Sequence, residues 1–149
     1  MGMFTSFDIN ASGLTAQQYR MDIISENVAN ANTTRTEDGT PYRRKVVTFE
    51  EKESQTPFSR VLNDARDNFS GKGVRVSSVQ EDKTSDMKQV YDPSHPDADE
   101  NGYVTYPNIN IVTEMTNLID ASRAYEANAT AFTTSKSMAV KGLEMGSNA

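Results

Sequence analysis

Apolar residues recur every seven positions in two segments at opposite ends of this 149-residue chain. In the first the series is Phe7, Leu14, Met21 and Val28, with Ala11, Ile24 and Ala31 on the flanking row. In the second it is Ile111, Leu118, Tyr125, Phe132 and Ala139, with Met115, Ser122, Ala129 and Leu143 beside it. A seven-residue repeat holds one narrow stripe on one side of a slightly supercoiled helix, the pattern of helices that pack lengthwise. Between Thr33 and Pro107 the sequence reads as strands and turns. The fold class that follows is α+β. Long N- and C-terminal helices, residues 1–32 and 108–149, pair as an antiparallel coiled coil, and a small β-rich insert, 33–107, separates them.

Thr5 or Ser6 is placed to cap the first helix, with Asp8 favourable in its first turn. Asn27, Asn30 and Asn32, followed by the β-branched pair Thr33-Thr34, end it near Asn30. Gly13 inside that helix costs roughly 1 kcal/mol relative to Ala, which points to close approach of a neighbouring helix. Asp38-Gly39-Thr40-Pro41 is a turn by composition. Tyr42 to Glu50 then reads as a strand with Val47 and Phe49 on one face. Residues 51–72 read as a long polar loop with a short helical turn around Arg60 to Arg66. Gly73 to Gln80 is a second strand, and Asp82 to Asp86 turns it into a third, Met87 to Tyr91, as a hairpin. Tyr103 to Tyr106 is a short fourth strand. Asn108 or Asn110 caps the last helix, which runs uninterrupted to Lys141. The stretch 127–135 carries no charge, whereas a helix exposed to water carries charges on its outer face, so this one is expected to be covered on more than one side.

Hydrophobic residues are 36% of the chain, below the usual ~45–50%, and the mean hydropathy is -0.66. With no Trp, a large self-contained core is not expected, and part of the apolar surface must find its burial in other chains. The formal charge of -6 argues against a nucleic-acid partner, which needs a basic field to release counterions. The one basic cluster, Arg43-Arg44-Lys45, reads as a solvated strand edge. Absence of cysteine excludes disulfides, thiolate metal sites and cysteine nucleophiles. No apolar run approaches the ~20 residues of a membrane span. The opening MGMFTSFDIN lacks the basic and apolar regions of a cleaved secretory signal.

Chemistry has few places to reside. The single histidine, His95, lies among Asp92, Asp97, Asp99 and Glu100. Asp97, Asp99 and Asn101 followed by Gly102 match the first half of a calcium loop, but Asn108 stands where a bidentate Glu is needed and Pro96 blocks an entering helix. The reading is an Asx-rich turn, with calcium binding as the weaker alternative. No nucleophile elbow, phosphate loop or dinucleotide glycine pattern occurs, and the adjacent carboxylates sit on polar segments rather than in apolar pockets. No enzyme activity and no cofactor are expected.

The stretch from Asp8 to Gln17, followed by Asn27-Val28-Ala29-Asn30-Ala31-Asn32-Thr33-Thr34, resembles the N-terminal motif of bacterial flagellar axial proteins. Gly39 to Lys45, Tyr91-Asp92-Pro93 with His95 to Asp99, and Gly102-Tyr103-Val104 with Pro107-Asn108 are similar to the proximal rod members of that family. So is Ala121-Ser122-Arg123-Ala124-Tyr125-Glu126-Ala127-Asn128 near the C-terminus. Residues 51–72 and 83–89 lack clear counterparts.

The resemblance implies a structural subunit of the basal-body rod, lying in the periplasmic space. It further implies export through the flagellar type III apparatus without a cleaved signal. The partners it implies are other rod proteins and copies of the chain itself, arranged around a central channel. The packing residues expected are Phe7, Leu14, Met21, Ile24 and Val28 facing Met115, Leu118, Ile119, Tyr125, Phe132 and Leu143. The small residues Ala11, Gly13, Ala29, Ala127 and Ala129 allow close approach of adjacent subunits. From residue physics alone, a soluble secretion chaperone is the competing function, and a calcium-binding module a weaker one.

Overall fold

The computed structural model describes residues 3–52 and 72–147. The loop and helical turn read between residues 51 and 72 fall, from residue 53 to residue 71, outside the described residues. The described elements are helix α1 (Met3–Ala29), strands β1 (Lys45–Glu51), β2 (Val74–Glu81), β3 (Lys88–Tyr91) and β4 (Tyr103–Tyr106), and helix α2 (Ile111–Ser147). The class is therefore α+β, with a helix at each end and small antiparallel sheets between them. Two compact units are formed. One comprises Met1–Gln18, Phe49–Ser77 and Ser122–Ala149, the other Tyr19–Thr48 and Ser78–Ala121. Both helices and both of the first two strands contribute residues to each unit.

In the first unit α1 and α2 run antiparallel. Phe7 meets Phe132 edge-on, ring centroids 5.1 Å apart, and Gly13 lies so near α2 that a Cβ there would come within 2.8 Å of Asn128 Oδ1. The close approach inferred from Gly13 is thus a feature of the fold. In the second unit the buried contact between the helices is polar, from Asn27 to Glu114. Helix α1 begins at Met3, so Thr5 and Ser6 lie inside it rather than capping it. Asn110 caps α2, its Oδ1 accepting the N–H groups of Val112 and Thr113, while Asn108 is used elsewhere. Helix α2 also continues past Lys141, through Gly142 and Gly146, to Ser147.

β1 and β2 form one two-stranded sheet. The Lys52 N–H donates to the Gly73 carbonyl at one end and the Asp82 N–H to the Arg44 carbonyl at the other, so the strands are antiparallel. Val47 and Phe49 lie on the inner side of β1, Val46 and Thr48 on the outer. The expected hairpin between β2 and β3 does not form. β3 pairs instead with β4, from Lys88 opposite Tyr106 to Tyr91 opposite Tyr103. Asp82 does make a turn, its Oδ1 accepting from Thr84 and Ser85, but Asn108 takes the Asp82 carbonyl, and the chain leaves the β2 edge. β1 starts at Lys45, not Tyr42, because the preceding N–H groups are bound outside any ladder: Tyr42 donates to the Thr33 carbonyl and Arg44 to Asn108 Oδ1.

Candidate assembly surface

The second unit is organised around Asn27, which is completely buried. Its Oδ1 accepts the Lys45 N–H at 2.9 Å and the Tyr42 hydroxyl at 3.1 Å. Its Nδ2 donates to the Lys45 carbonyl at 2.8 Å and to Glu114 Oε2 at 3.1 Å. One side-chain amide therefore meets both backbone groups of Lys45, as a neighbouring strand would, and every donor and acceptor it carries is used. Neither Asp, which cannot donate when ionised, nor Leu could do this.

Glu114, 1% exposed, is the other pole. Oε1 accepts from Arg44 Nε at 2.8 Å and from Asn117 at 3.4 Å, while Oε2 takes the Asn27 amide. A buried carboxylate is tolerated only when paired and hydrogen-bonded, and both conditions hold. Arg44 also lies 3.8 Å from Asp82, and Lys45 pairs with Glu26. The Arg43-Arg44-Lys45 cluster is therefore not a solvated edge: two of its three cations are tied to acids brought in by the helices and by the end of β2. Burial, and then the negative charge of Glu26, push the Tyr42 phenol up to about 12. Asp82 is held below the usual carboxylate range by the Ser85 hydroxyl and by the N–H groups of Ser85 and Thr84, with Arg44 adding a smaller effect.

In the first unit the close contact continues from helix to strand. Gly73, at φ +84°, sits so tightly on α1 that a Cβ would lie 2.2 Å from Ser12 Oγ. That hydroxyl donates to the Ile9 carbonyl and accepts the Val74 N–H.

The expected packing residues divide by exposure. Ile24 is buried at 5%. Phe7, Leu14, Met21 and Val28 are half-buried, as are Leu118, Tyr125 and Phe132. Met115, Ile119 and Leu143 are 53–69% exposed. The most enclosed positions of α1, at Gly13, Ala16, Ile24 and Asn27, lie beside the Leu14, Met21 and Val28 row rather than on it. On α2 the enclosed line passes through Glu114, Ala121 and Ala139. Asn27, Arg44 and Glu114 were not among the expected packing residues: Asn27 was read as helping to end the helix and Arg44 as part of a solvated edge. A signal was present for Glu114, which is three residues N-terminal to Asn117 and seven N-terminal to Ala121 on the same helical stripe.

Elsewhere on α2 the surface is apolar and uncovered. In the second unit Ile111, Met115 and Ile119 follow at four-residue spacing, so they share one face, and Val112 beside them is 73% exposed. An open groove of about 530 Å³, lined by Ala31, Val90, Tyr106, Pro107 and Ile109, leads onto Ile111 and Val112. In the first unit Met138, Val140, Leu143 and Met145 are exposed on the last turns.

The acidic loop is a turn built from its own side chains. Asp99 Oδ1 accepts from Asn101 and Tyr103 N–H groups, with Gly102 at φ 79°. Asp97 accepts the Thr34 hydroxyl and lies 3.7 Å from Arg35. Its N–H donates to His95 Nδ1. Among the described residues no group of acids and histidines converges as a metal site would require. No described helix is long and apolar enough to cross a membrane.

Comparison with known proteins bears on both ends of the chain. Residues 7–35 match the family described as flagella basal body rod protein, and residues 100–145 match the C-terminal family of the flagellar basal body rod FlgEFG proteins. These are the segments that carry Gly13 and Asn27, and Glu114 and Asn128. The flagellar basal-body rod protein FlgC of Borreliella burgdorferi is 49% identical over 146 residues, covering 93% of each chain. The FlgC of Bacillus subtilis is 44% identical over 98% of this chain and 99% of its own. That of Escherichia coli O6:H1 is 41% identical over the same shares. With identities of this size across nearly the full length of both partners, the chain belongs to the FlgC family of flagellar basal-body rod proteins.

Proposed function

We propose that this chain is a structural subunit of the proximal rod of the flagellar basal body, and that its activity is assembly. The observation that carries the reading is the uncovered apolar face of α2, where Ile111, Val112, Met115 and Ile119 are 45–73% exposed in the isolated chain. Large apolar side chains in such a row mark a surface completed by another protein. In this reading the terminal segments, 1–32 and 108–149, form the inner part of the rod around its central channel, and the insert, 33–107, lies outside them. Neighbouring rod proteins and further copies of the chain cover the exposed seams. The subunit reaches the periplasmic space through the flagellar type III export apparatus without a cleaved signal. Ordering each residue costs roughly 1–2 kcal/mol of entropy, which extensive burial between subunits offsets. Family membership leaves no support for the secretion-chaperone or calcium-module alternatives.

The test is the double substitution Met115→Gln with Ile119→Gln. The purified chain keeps its circular dichroism and unfolding midpoint, because both side chains already face water. In cells the variant is missing from isolated basal bodies and swimming in soft agar is lost. Normal incorporation and motility would sink the assignment of this face.

A further inference from the structure

Three stretches distant in sequence meet at one buried carboxylate in the second unit. Glu114 comes from the first turns of α2, Arg44 from the segment leading into β1, and Asn27 from the end of α1. None can occupy its place alone. Glu114 at 1% exposure without Arg44 and Asn27 would be an unpaired buried charge, which is strongly unfavourable. Asn27 without the backbone of Lys45 would leave buried amide groups unmet. Arg44 without Glu114 would keep only Asp82, at 3.8 Å. Of the other charged groups at the cluster, Glu26 holds Lys45.

We propose that Asn27, Arg44 and Glu114 act as an interlock that makes the end of α1, the start of β1 and the first turns of α2 order together. The unassembled subunit then carries Tyr19–Ala29 and Ile111–Ala121 as part of the same stable body as the start of β1. These inner halves of the helices are set before neighbours arrive. The polar cluster also specifies which turn of α1 faces which turn of α2, a register that small and apolar residues on the enclosed lines would leave loosely defined. The proposal rests on the rod-subunit reading only for what the neighbours must still cover.

The experiment is hydrogen exchange, read by mass spectrometry, on the purified full chain and on Asn27→Ala, Arg44→Ala and the double variant. In the wild type, amides of residues 20–29, 45–48 and 111–121 share one level of protection. Each single substitution lowers all three together, by on the order of 100-fold or more. The double variant loses little beyond either single, because one change already dismantles the cluster. Free exchange of the helical segments beside a protected β1 in the wild type, losses confined to the substituted segment, or additive losses would each overturn the interlock. Should Arg44→Ala fail to fold, Glu114→Gln keeps the side chain's size and one acceptor oxygen, for Arg44 or for Asn27 but not for both. It gives the same three-segment signature at smaller amplitude, and a loss confined to α2 overturns the proposal. Basal bodies lacking the wild-type chain despite concerted protection would remove the rod assignment alone. Independent exchange in a chain that incorporates normally would remove the interlock alone.

Discussion

Asn27 shows how one side chain can stand in for a strand. Its amide caps both polar groups of the Lys45 backbone and still reaches Glu114. Tyr42 donates its hydroxyl to the same amide, and its raised pKa has a consequence for stability. Below about pH 10 the phenol is protonated in both folded and unfolded chains. Between that ordinary value and about 12 the unfolded chain has lost the proton and the folded chain retains it, so stability falls as pH rises through this window and levels above it. In an alkaline titration followed by phenolate absorbance, one of the six tyrosines titrates late, and Tyr42→Phe removes that late step. At Gly73 the expected result is mechanical. Alanine there takes up a left-handed backbone and collides with Ser12 Oγ, displacing the acceptor of the Val74 N–H. The cost is about 2–3 kcal/mol, seen as a lower urea midpoint with an unchanged slope.

At the level of elements, the β3–β4 ribbon is too short to be stable by itself, since an isolated two-stranded hairpin is marginal in water. Its anchor is Val104, which has no exposed surface, while all four residues of β3 face solvent. Val104→Ala removes two buried carbons and costs about 2 kcal/mol. Thermal unfolding measures the total, and exchange of the β3 and β4 amides shows whether the loss begins at the ribbon. The strand segments themselves were legible from alternation and turn chemistry. Their pairing was not. A turn at Asp82 signals a hairpin equally well whether the following strand folds back on β2 or passes on. What diverts it is Asn108, far along the chain, binding the Asp82 carbonyl.

Taken as a whole, the molecule leaves long apolar side chains in water at both ends of α2. Leu143 and Met145 are 69% and 73% exposed. Replacing both by Gln changes unfolding free energy by no more than about 0.5 kcal/mol, as surface substitutions do, yet lowers self-association measured by light scattering and incorporation into basal bodies. A variant that associates and incorporates as before would show these turns to be ordinary surface. The net charge of -6 opposes that association through repulsion between subunits.

The seven-residue periodicity was enough, by itself, to determine that helices stand at both ends, because helical spacing is a local property that any short window carries. The small-residue position at Gly13 marked a close contact for the same reason. The motifs at both ends likewise pointed to the family. Tertiary structure decided which row of each helix is enclosed. The apolar rows read from the sequence include Ile24 and Ala139, which are buried, but the enclosed lines also hold a polar amide, Asn27, and a carboxylate, Glu114. A buried Asn or Glu reads locally as surface, and only its partners make burial tolerable. Asn27 and Glu114 are 87 residues apart, a distance over which no local pattern can announce that one will satisfy the other.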